Sequence, residues 1–534
     1  MSKAGVVLCE CNGTVERRIS LREVTHFLND ASPSFNVILG NNLCKKSELK
    51  RLLDKSDTIP SVICACDAID NNLNFWQEIK SATINPYFTK VIDVLTEIDS
   101  DSSSSDVTNR VKLLIWSKIL RSLSCNDIAK DNLKTRFDIP KAELSRRELV
   151  GALVPQYKIV PYILPSDCAG GYLCGLCKTI CPAKAIIDDI TMRIDKSACS
   201  GCGACMGICP YEAISYPSFS ILELEREAEG LLSSTVTLSP RIIAVTCQPC
   251  AGIWDKAIMK ASPHVFTLEV PSLAMASPLL LLTILNKGAN GIVLIDSSSE
   301  CASKATNSSW RDSLRFVQDL LDIYGIERER IGYIEVGPDY DVSRLKLRKF
   351  VNSITKLGPT PLKASTGSAK HNEIVSLSWT IKNMHSKLPD ISENILKNKY
   401  VPFGMIKIKG ERCTGCGLCA KNCPTNSISV KSVDDNSRLE IIFCHDKCLA
   451  CGICANTCPE KCINLTNMLD LSKLGGEQNI IFEDDYICCR NCRKIIAPKS
   501  MINILKSKLE QSGGIGSEWS ELCPSCRVVF QQKR

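Results

Sequence analysis

Cys413-x2-Cys416-x2-Cys419-x3-Cys423-Pro424, answered by Cys448-x2-Cys451-x2-Cys454-x3-Cys458-Pro459, decides how this chain is read. A short loop can aim three thiolates at one face of an iron–sulfur cubane, while the fourth Cys, ahead of a proline, reaches across to the neighbouring cluster. One [4Fe-4S] cluster is therefore expected on Cys413, Cys416, Cys419 and Cys458. Another is expected on Cys448, Cys451, Cys454 and Cys423. Cys444 and Cys462 flank the motif and are surplus to this count.

Working outward, the same phrase occurs earlier in the chain. Cys199-x2-Cys202-x2-Cys205-x3-Cys209-Pro210 is regular, and Cys168-x5-Cys174-x2-Cys177-x3-Cys181-Pro182 is stretched at its start. The crossing rule places one cluster on Cys168, Cys174, Cys177 and Cys209, and its neighbour on Cys199, Cys202, Cys205 and Cys181. Both regions, 161–220 and 401–468, read as 2[4Fe-4S] ferredoxin modules. Zinc would group the cysteines as two Cys-x2-Cys knuckles without the Cys-Pro ending.

Bulk properties fit this reading. The 534 residues are 44% hydrophobic and 23% charged, which is ordinary for globular protein. That length suggests about three to five domains. The 32 cysteines fall in tight clusters, and with no export pattern at Met1–Cys9 they read as metal ligands rather than disulfides. A cytoplasmic location follows, and no apolar run approaches the ~20 residues of a membrane span. The formal charge of +7 is offset by four clusters that each add about −2. Without a basic run or an aromatic–basic stripe, nucleic-acid binding is not expected.

Residues 1–98 alternate short apolar strands (Val6–Cys9, 37–39, 61–63) with helical spacing at Leu21, Val24, Phe27 and Leu28. This is a small α/β unit with cysteines just past its strand ends. Cys9-x-Cys11 after the first strand, Cys44 before a helix, Cys64-Ala-Cys66 after a third strand, and Asn85-Pro86-Tyr87-Phe88 resemble the N-terminal domain of the A-type component of heterodisulfide reductase. The resemblance implies a fifth [4Fe-4S] cluster on Cys9, Cys11, Cys44 and Cys66, with Asn12 where the family has glycine. No Gly-x-Gly-x-x-Gly loop follows a strand, so the FAD domain of that family is not expected. Residues 99–160 read as linker and helices, with the Ser/Asp-rich run 99–106 a flexible linker.

Strands alternate with helices again over 235–355, which predicts a parallel sheet covered by helices. Cys247-Gln-Pro-Cys250 after a strand, Gly288-Ala-Asn-Gly291 before another, and Cys301 resemble the delta subunit of methyl-viologen-reducing hydrogenase. That resemblance implies a [2Fe-2S] cluster on Cys247, Cys250 and Cys301, with Asp296 or Ser272 replacing absent cysteines. A redox dithiol at Cys247/Cys250 and a cluster-free docking domain are the competing readings.

Residues 356–400 read as linker and helix. In 480–534, the knuckles Cys489-x2-Cys492 and Cys523-x2-Cys526 suit a tetrathiolate zinc site in a ribbon-like tail, with a further iron–sulfur cluster as the alternative. The whole is expected to be a multi-domain α+β and α/β protein. No residues propose substrate chemistry, so the expected role is a non-catalytic electron relay. It would join other subunits of a heterodisulfide reductase, hydrogenase or formate dehydrogenase-type complex, including a flavoprotein, and deliver to a disulfide or sulfur-compound reductase. A thiol–disulfide redox component and an iron–sulfur sensor or scaffold are the alternatives.

Overall fold

The apolar run Gly5–Cys9 forms β1, and α1 (Leu21–Ala31) buries Leu21, Val24 and Leu28 at helical spacing. With β2 (Asn36–Gly40), β3 (Pro60–Ala65) and β4 (Lys90–Asp93), β1 makes a parallel sheet in the order β2-β1-β3-β4. The structure is a computed structural model. It describes residues 5–31, 36–41, 60–65, 90–93, 103–124, 160–247, 262–296, 309–362, 377–388, 394–511 and 520–532. Within these ranges 169, 172–173, 189–191, 210–212, 217–218, 338 and 434–436 are excluded.

The run expected as a linker ends as a helix cap. Ser103 Oγ accepts the Asp106 N–H at 3.1 Å, and α2 (Ser104–Leu123) starts there. Ser and Asp favour loops and helix N-termini for the same reason: their short oxygens compete for backbone N–H groups. α2 is buried on several sides. Val107, Val111, Ile115 and Ile119 join the main core, while Arg110 donates to the carbonyls of Pro263 (3.0 Å) and Val265.

The first ferredoxin region has only two-residue strands. β5 (Tyr162–Ile163) precedes α3 (Leu176–Ile180), β6 (Ile186–Ile187), β7 (Arg193–Ile194) and β8 (Ile214–Ser215). β5 pairs with β8, and β6 with β7. A capping box of Ser220 and Glu223 opens α4 (Ile221–Leu231), which lies against α2. The crossing is close, since a Cβ on Gly230 would sit 2.3 Å from Ser117 Cα. Glu227, fully buried, bridges the two helices by accepting from both Lys118 and Arg121.

The central unit is a second parallel sheet. β9 (Ile242–Cys247) and β10 (Val265–Val270) lead through α5 (Pro278–Asn286) to β11 (Gly291–Asp296). α6 (Ser309–Ile323), β12 (Ile331–Glu335) and α7 (Tyr340–Leu357) follow. The order is β10-β9-β11-β12, with β9 and β11 buried at every position, as apolar strands covered on both faces must be. α8 (Leu377–His385) lies in the stretch 356–400 read as linker and helix. It buries Ile381 and Met384 in the main core, and Asn286 Nδ2 donates to Thr380 O at 3.3 Å.

The second ferredoxin region carries longer strands. β13 (Ile395–Leu396) and β14 (Gly404–Ile408) precede α9 (Leu418–Lys421), β15 (Ile428–Val433), β16 (Arg438–Cys444) and α10 (Ile453–Thr457). β17 (Ile463–Asn467) then pairs with β14, and β18 (Leu469–Asp470) with β13. The tail, expected to be ribbon-like, joins the sheet of the second module. Its first strand, β19 (Gln478–Cys488), pairs along β16 and carries β20 (Ile495–Pro498) at its other edge. α11 (Lys499–Gln511) and α12 (Pro524–Gln532) complete it. Among the described residues no helix is long and apolar enough to cross a membrane.

Candidate iron–sulfur centres

The cysteine loops repeat one backbone geometry. Two residues after the first thiol of each motif, Gly170, Gly201, Gly415 and Ala450 take φ of +82°, +72°, +63° and +52°. Directly after the second thiol, Gly175, Gly203, Gly417 and Gly452 take φ of +69° to +76°. These left-handed residues fold the loop around its centre and turn N–H groups toward sulfur. Gly170 N–H meets Cys168 Sγ at 3.4 Å, and Gly201 N–H meets Cys199 Sγ at 3.4 Å. The stretched motif therefore keeps the same cradle, because its extra residues fall beyond Gly170.

The thiols converge in the sets that the crossing rule names. Cys168, Cys174, Cys177 and Cys209 line one cavity with Ile163, Met192 and Ile214. Cys181, Cys199, Cys202 and Cys205 line another, and Cys413, Cys416, Cys419 and Cys458 a third. Cys448, Cys451 and Cys423 lie close enough to Cys454 to help raise its thiol.

The donor chemistry fits a metal cluster. Burial, and then the neighbouring Cys209, Cys174 and Cys168, push the Cys177 thiol up to about 12. Burial likewise raises Cys454 to about 12, and Cys419 and Cys448 to about 11. Four thiolates cannot share an apolar pocket without cationic compensation, which iron provides.

The first module is seated on the carboxyl edge of the central sheet. Ser272 Oγ donates to Cys202 O at 2.8 Å, and a Cβ on Gly203 would lie 2.5 Å from Met275 Sδ. In register with Val270 on β10 is Cys247, the last residue of β9, so one sheet edge holds both Cys247 and the Cys202 loop. Sequence reasoning assigned these features to separate domains, and nothing in the spacing pointed to their contact.

Ser272 and Asp296, expected as stand-in ligands, both have hydrogen-bond partners at this edge. Ser272 bonds to Cys202 O and caps the Ala274 N–H at 3.2 Å. Asp296, buried at the end of β11, accepts from Arg311 Nη2 at 2.9 Å, with the guanidinium 4.5 Å from the Trp310 ring. Cys247 is 1% exposed, at the end of β9. Cys250 and Cys301 lie outside the described residues.

In the N-terminal unit Cys9 is buried at the end of β1. Asn12 takes φ +55° and ψ +36°, a left-handed conformation that Asn tolerates, so it can stand where the related family has glycine. Cys44 and Cys66, and the side chain of Cys11, lie outside the described residues.

In the tail, the Sγ atoms of Cys489, Cys492, Cys523 and Cys526 all lie within 4.8 Å of one another. Cys523 N–H donates to Cys489 Sγ at 3.3 Å and, with the amides of the Cys492 knuckle, draws that thiol down to about 6. Asn491 Nδ2 donates to Cys526 Sγ at 3.4 Å.

Residues 242–358 match the family model of the methyl-viologen-reducing hydrogenase delta subunit. The chain carries a delta-subunit-like domain between iron–sulfur modules. Residues 412–462 match a 4Fe-4S dicluster domain, and residues 164–220 match the LdpA Fe-S cluster-binding domain. Among curated proteins, the D-type iron-sulfur component of the F420-non-reducing hydrogenase vhc of Methanococcus voltae is 25% identical over 134 residues, covering 24% of this chain and 93% of that protein.

Proposed function

We propose that this chain is an electron relay of a hydrogenase- or heterodisulfide-reductase-type complex, passing electrons from a donor enzyme toward a disulfide or sulfur-compound reductase. The observation that carries the proposal is the recurrence of one four-thiol cradle, seated in the first module against the edge of the delta-subunit-like domain. Each bound [4Fe-4S] cluster would supply one-electron transfer, and the chain does the rest. Cys168, Cys174, Cys177 and Cys209 hold one cluster, and Cys181, Cys199, Cys202 and Cys205 the next. Cys413, Cys416, Cys419 and Cys458 hold a third, and Cys423, Cys448, Cys451 and Cys454 a fourth. Apolar walls exclude water, loop amides bond to sulfur, and both effects tune potential. Cys416, an exposed thiol, brings its cluster to the surface of the second module.

Cys9, Cys11, Cys44 and Cys66 form a fifth [4Fe-4S] site in this proposal. Cys247, Cys250 and Cys301 are the thiol ligands of any [2Fe-2S] centre in this proposal, with Asp296 or Ser272 standing in for an absent cysteine.

The tail thiols are assigned to zinc. Tetrahedral Zn–S bonds of about 2.3 Å hold thiolates about 3.8 Å apart, within the 4.8 Å bound observed. A four-iron cubane is larger and would spread them. Metal analysis of anaerobically purified protein tests the whole reading. About 16 to 20 iron and about one zinc per chain are expected. Iron far below sixteen would sink the relay, and a tail metal other than zinc would sink that assignment alone.

A further inference from the structure

The cluster loops share a turn after the crossing cysteine. Lys184, Asn426 and Lys461, three residues beyond Cys181, Cys423 and Cys458, sit at φ +50°, +51° and +46°. Each donates its N–H to the carbonyl of that cysteine at 3.2 Å. This turn aims the next residue at the cluster cavity. Ala185 and Ala213 occupy the position in the first module, each lining its cavity with the cysteine four residues before it. In the second module the corresponding residues are Ser427 and Cys462.

Ser427 offers no thiol: its hydroxyl donates to Cys444 O at 2.7 Å, and its side chain also hydrogen-bonds Cys448. Cys462 does offer one. It is 3% exposed, lines the cavity of Cys413, Cys416, Cys419 and Cys458, and places Sγ 3.5 Å from Cys458 Sγ. Its side chain also reaches hydrogen-bonding contact with Cys413. A space-filling role is met by alanine in the two first-module cavities, so packing alone does not call for sulfur here.

We propose that Cys462 is a reserve ligand of this cluster, able to bind the iron that Cys458 otherwise holds. The inference rests on the reading that the cavity takes a [4Fe-4S] cluster. In the exchange the Fe–S bond to Cys458 breaks, one to Cys462 forms, and the Cys462 thiol proton passes to the released Cys458 thiolate 3.5 Å away. No electron is gained or lost.

The test uses the full chain, with iron content and EPR of the reduced protein as readouts. Cys458→Ala should keep the iron of the wild type, whereas Cys209→Ala, with Ala213 in the reserve position, should lose about four iron atoms. The double variant Cys458→Ala/Cys462→Ala should lose about four as well. Loss of about four iron by Cys458→Ala alone, or retention by the double variant, overturns the proposal. Should Cys458→Ala fail to fold, Cys458→Ser serves. An unchanged all-cysteine EPR signal supports Cys462 ligation, and a signal altered by an oxygen ligand overturns it. Wild-type protein with iron far below sixteen overturns the cluster reading itself, and the two failures are thereby told apart.

Discussion

Around the first pair of cluster cradles the strands are two residues long, whereas around the second pair β14 to β17 run for five to seven. The first module leans on its neighbours. Ser272 and Met275 of the central unit meet its Cys202 loop, and the chain leaves it along α4, which is locked to α2 by Glu227. The second module carries its own sheet, extended by β19 and β20 of the tail. Equivalent cradles can thus be stabilised from outside or from within, and the two modules should fail under different changes.

The largest separation is expected from the tail. The zinc proposed for the tail would, as a structural tetrathiolate site, contribute on the order of 10 kcal/mol to apparent folding stability. Cys489→Ser with Cys523→Ser should release zinc and strip amide-exchange protection from β19, β20 and α11, leaving the first module protected. Equal loss of protection in both modules would end the contrast.

Next comes Glu227→Ala. It leaves Lys118 and Arg121 buried without their carboxylate, and breaking a buried ion pair costs about 3–5 kcal/mol. Denaturant unfolding should show that loss, with exchange rising first in α2 and α4. Unchanged stability would mean that the helix crossing holds without its charges.

Ser272→Ala removes one buried hydrogen bond to Cys202 O and should cost about 1 kcal/mol. The signature is a shifted EPR signal or faster chelator-driven iron loss from the first module only. Identical kinetics in both modules would show that the seat does not support the cradle.

A smaller effect comes from acid. His445 is buried, donates Nδ1–H to Gly404 O at 3.0 Å and accepts the Asp470 N–H on Nε2 at 3.0 Å, an arrangement that needs the neutral ring. Burial holds its pKa below the ordinary 6.5. The unfolded chain therefore binds the extra proton first. The stabilisation is whole above about 6.5 and drains away as pH falls toward the depressed folded value. Melting curves between pH 7.5 and 5.5 should show the second module weakening relative to His445→Gln, and parallel curves would remove His445 as the cause.

Much of this was written in local spacing. The Cys-x2-Cys-x2-Cys-x3-Cys-Pro phrase carries its own loop, because left-handed glycines follow the thiols and set the cradle within a dozen residues. The strands of the central unit are likewise legible, since β9 and β11 are continuous apolar runs that only a sheet covered on both faces can bury. One linker reading failed, where a segment's role depended on a distant partner. The Ser/Asp run looks like a linker until α2 finds α4, and 377–385 has few landmarks until Ile381 and Met384 meet α5.

Which thiols form each cradle, the parallel character of the central sheet and the delta-subunit-like stretch could all be read along the chain. Those features depend on interactions a few residues apart or on the burial demand of a single strand. It took the folded molecule to show that the Cys202 loop sits on the edge where β9 ends, that Ser272 and Asp296 have hydrogen-bond partners, and that β19 extends the second module's sheet. Such contacts join residues that are not neighbours along the chain, and their energies come from shape and desolvation at the meeting surfaces rather than from any pattern of spacing.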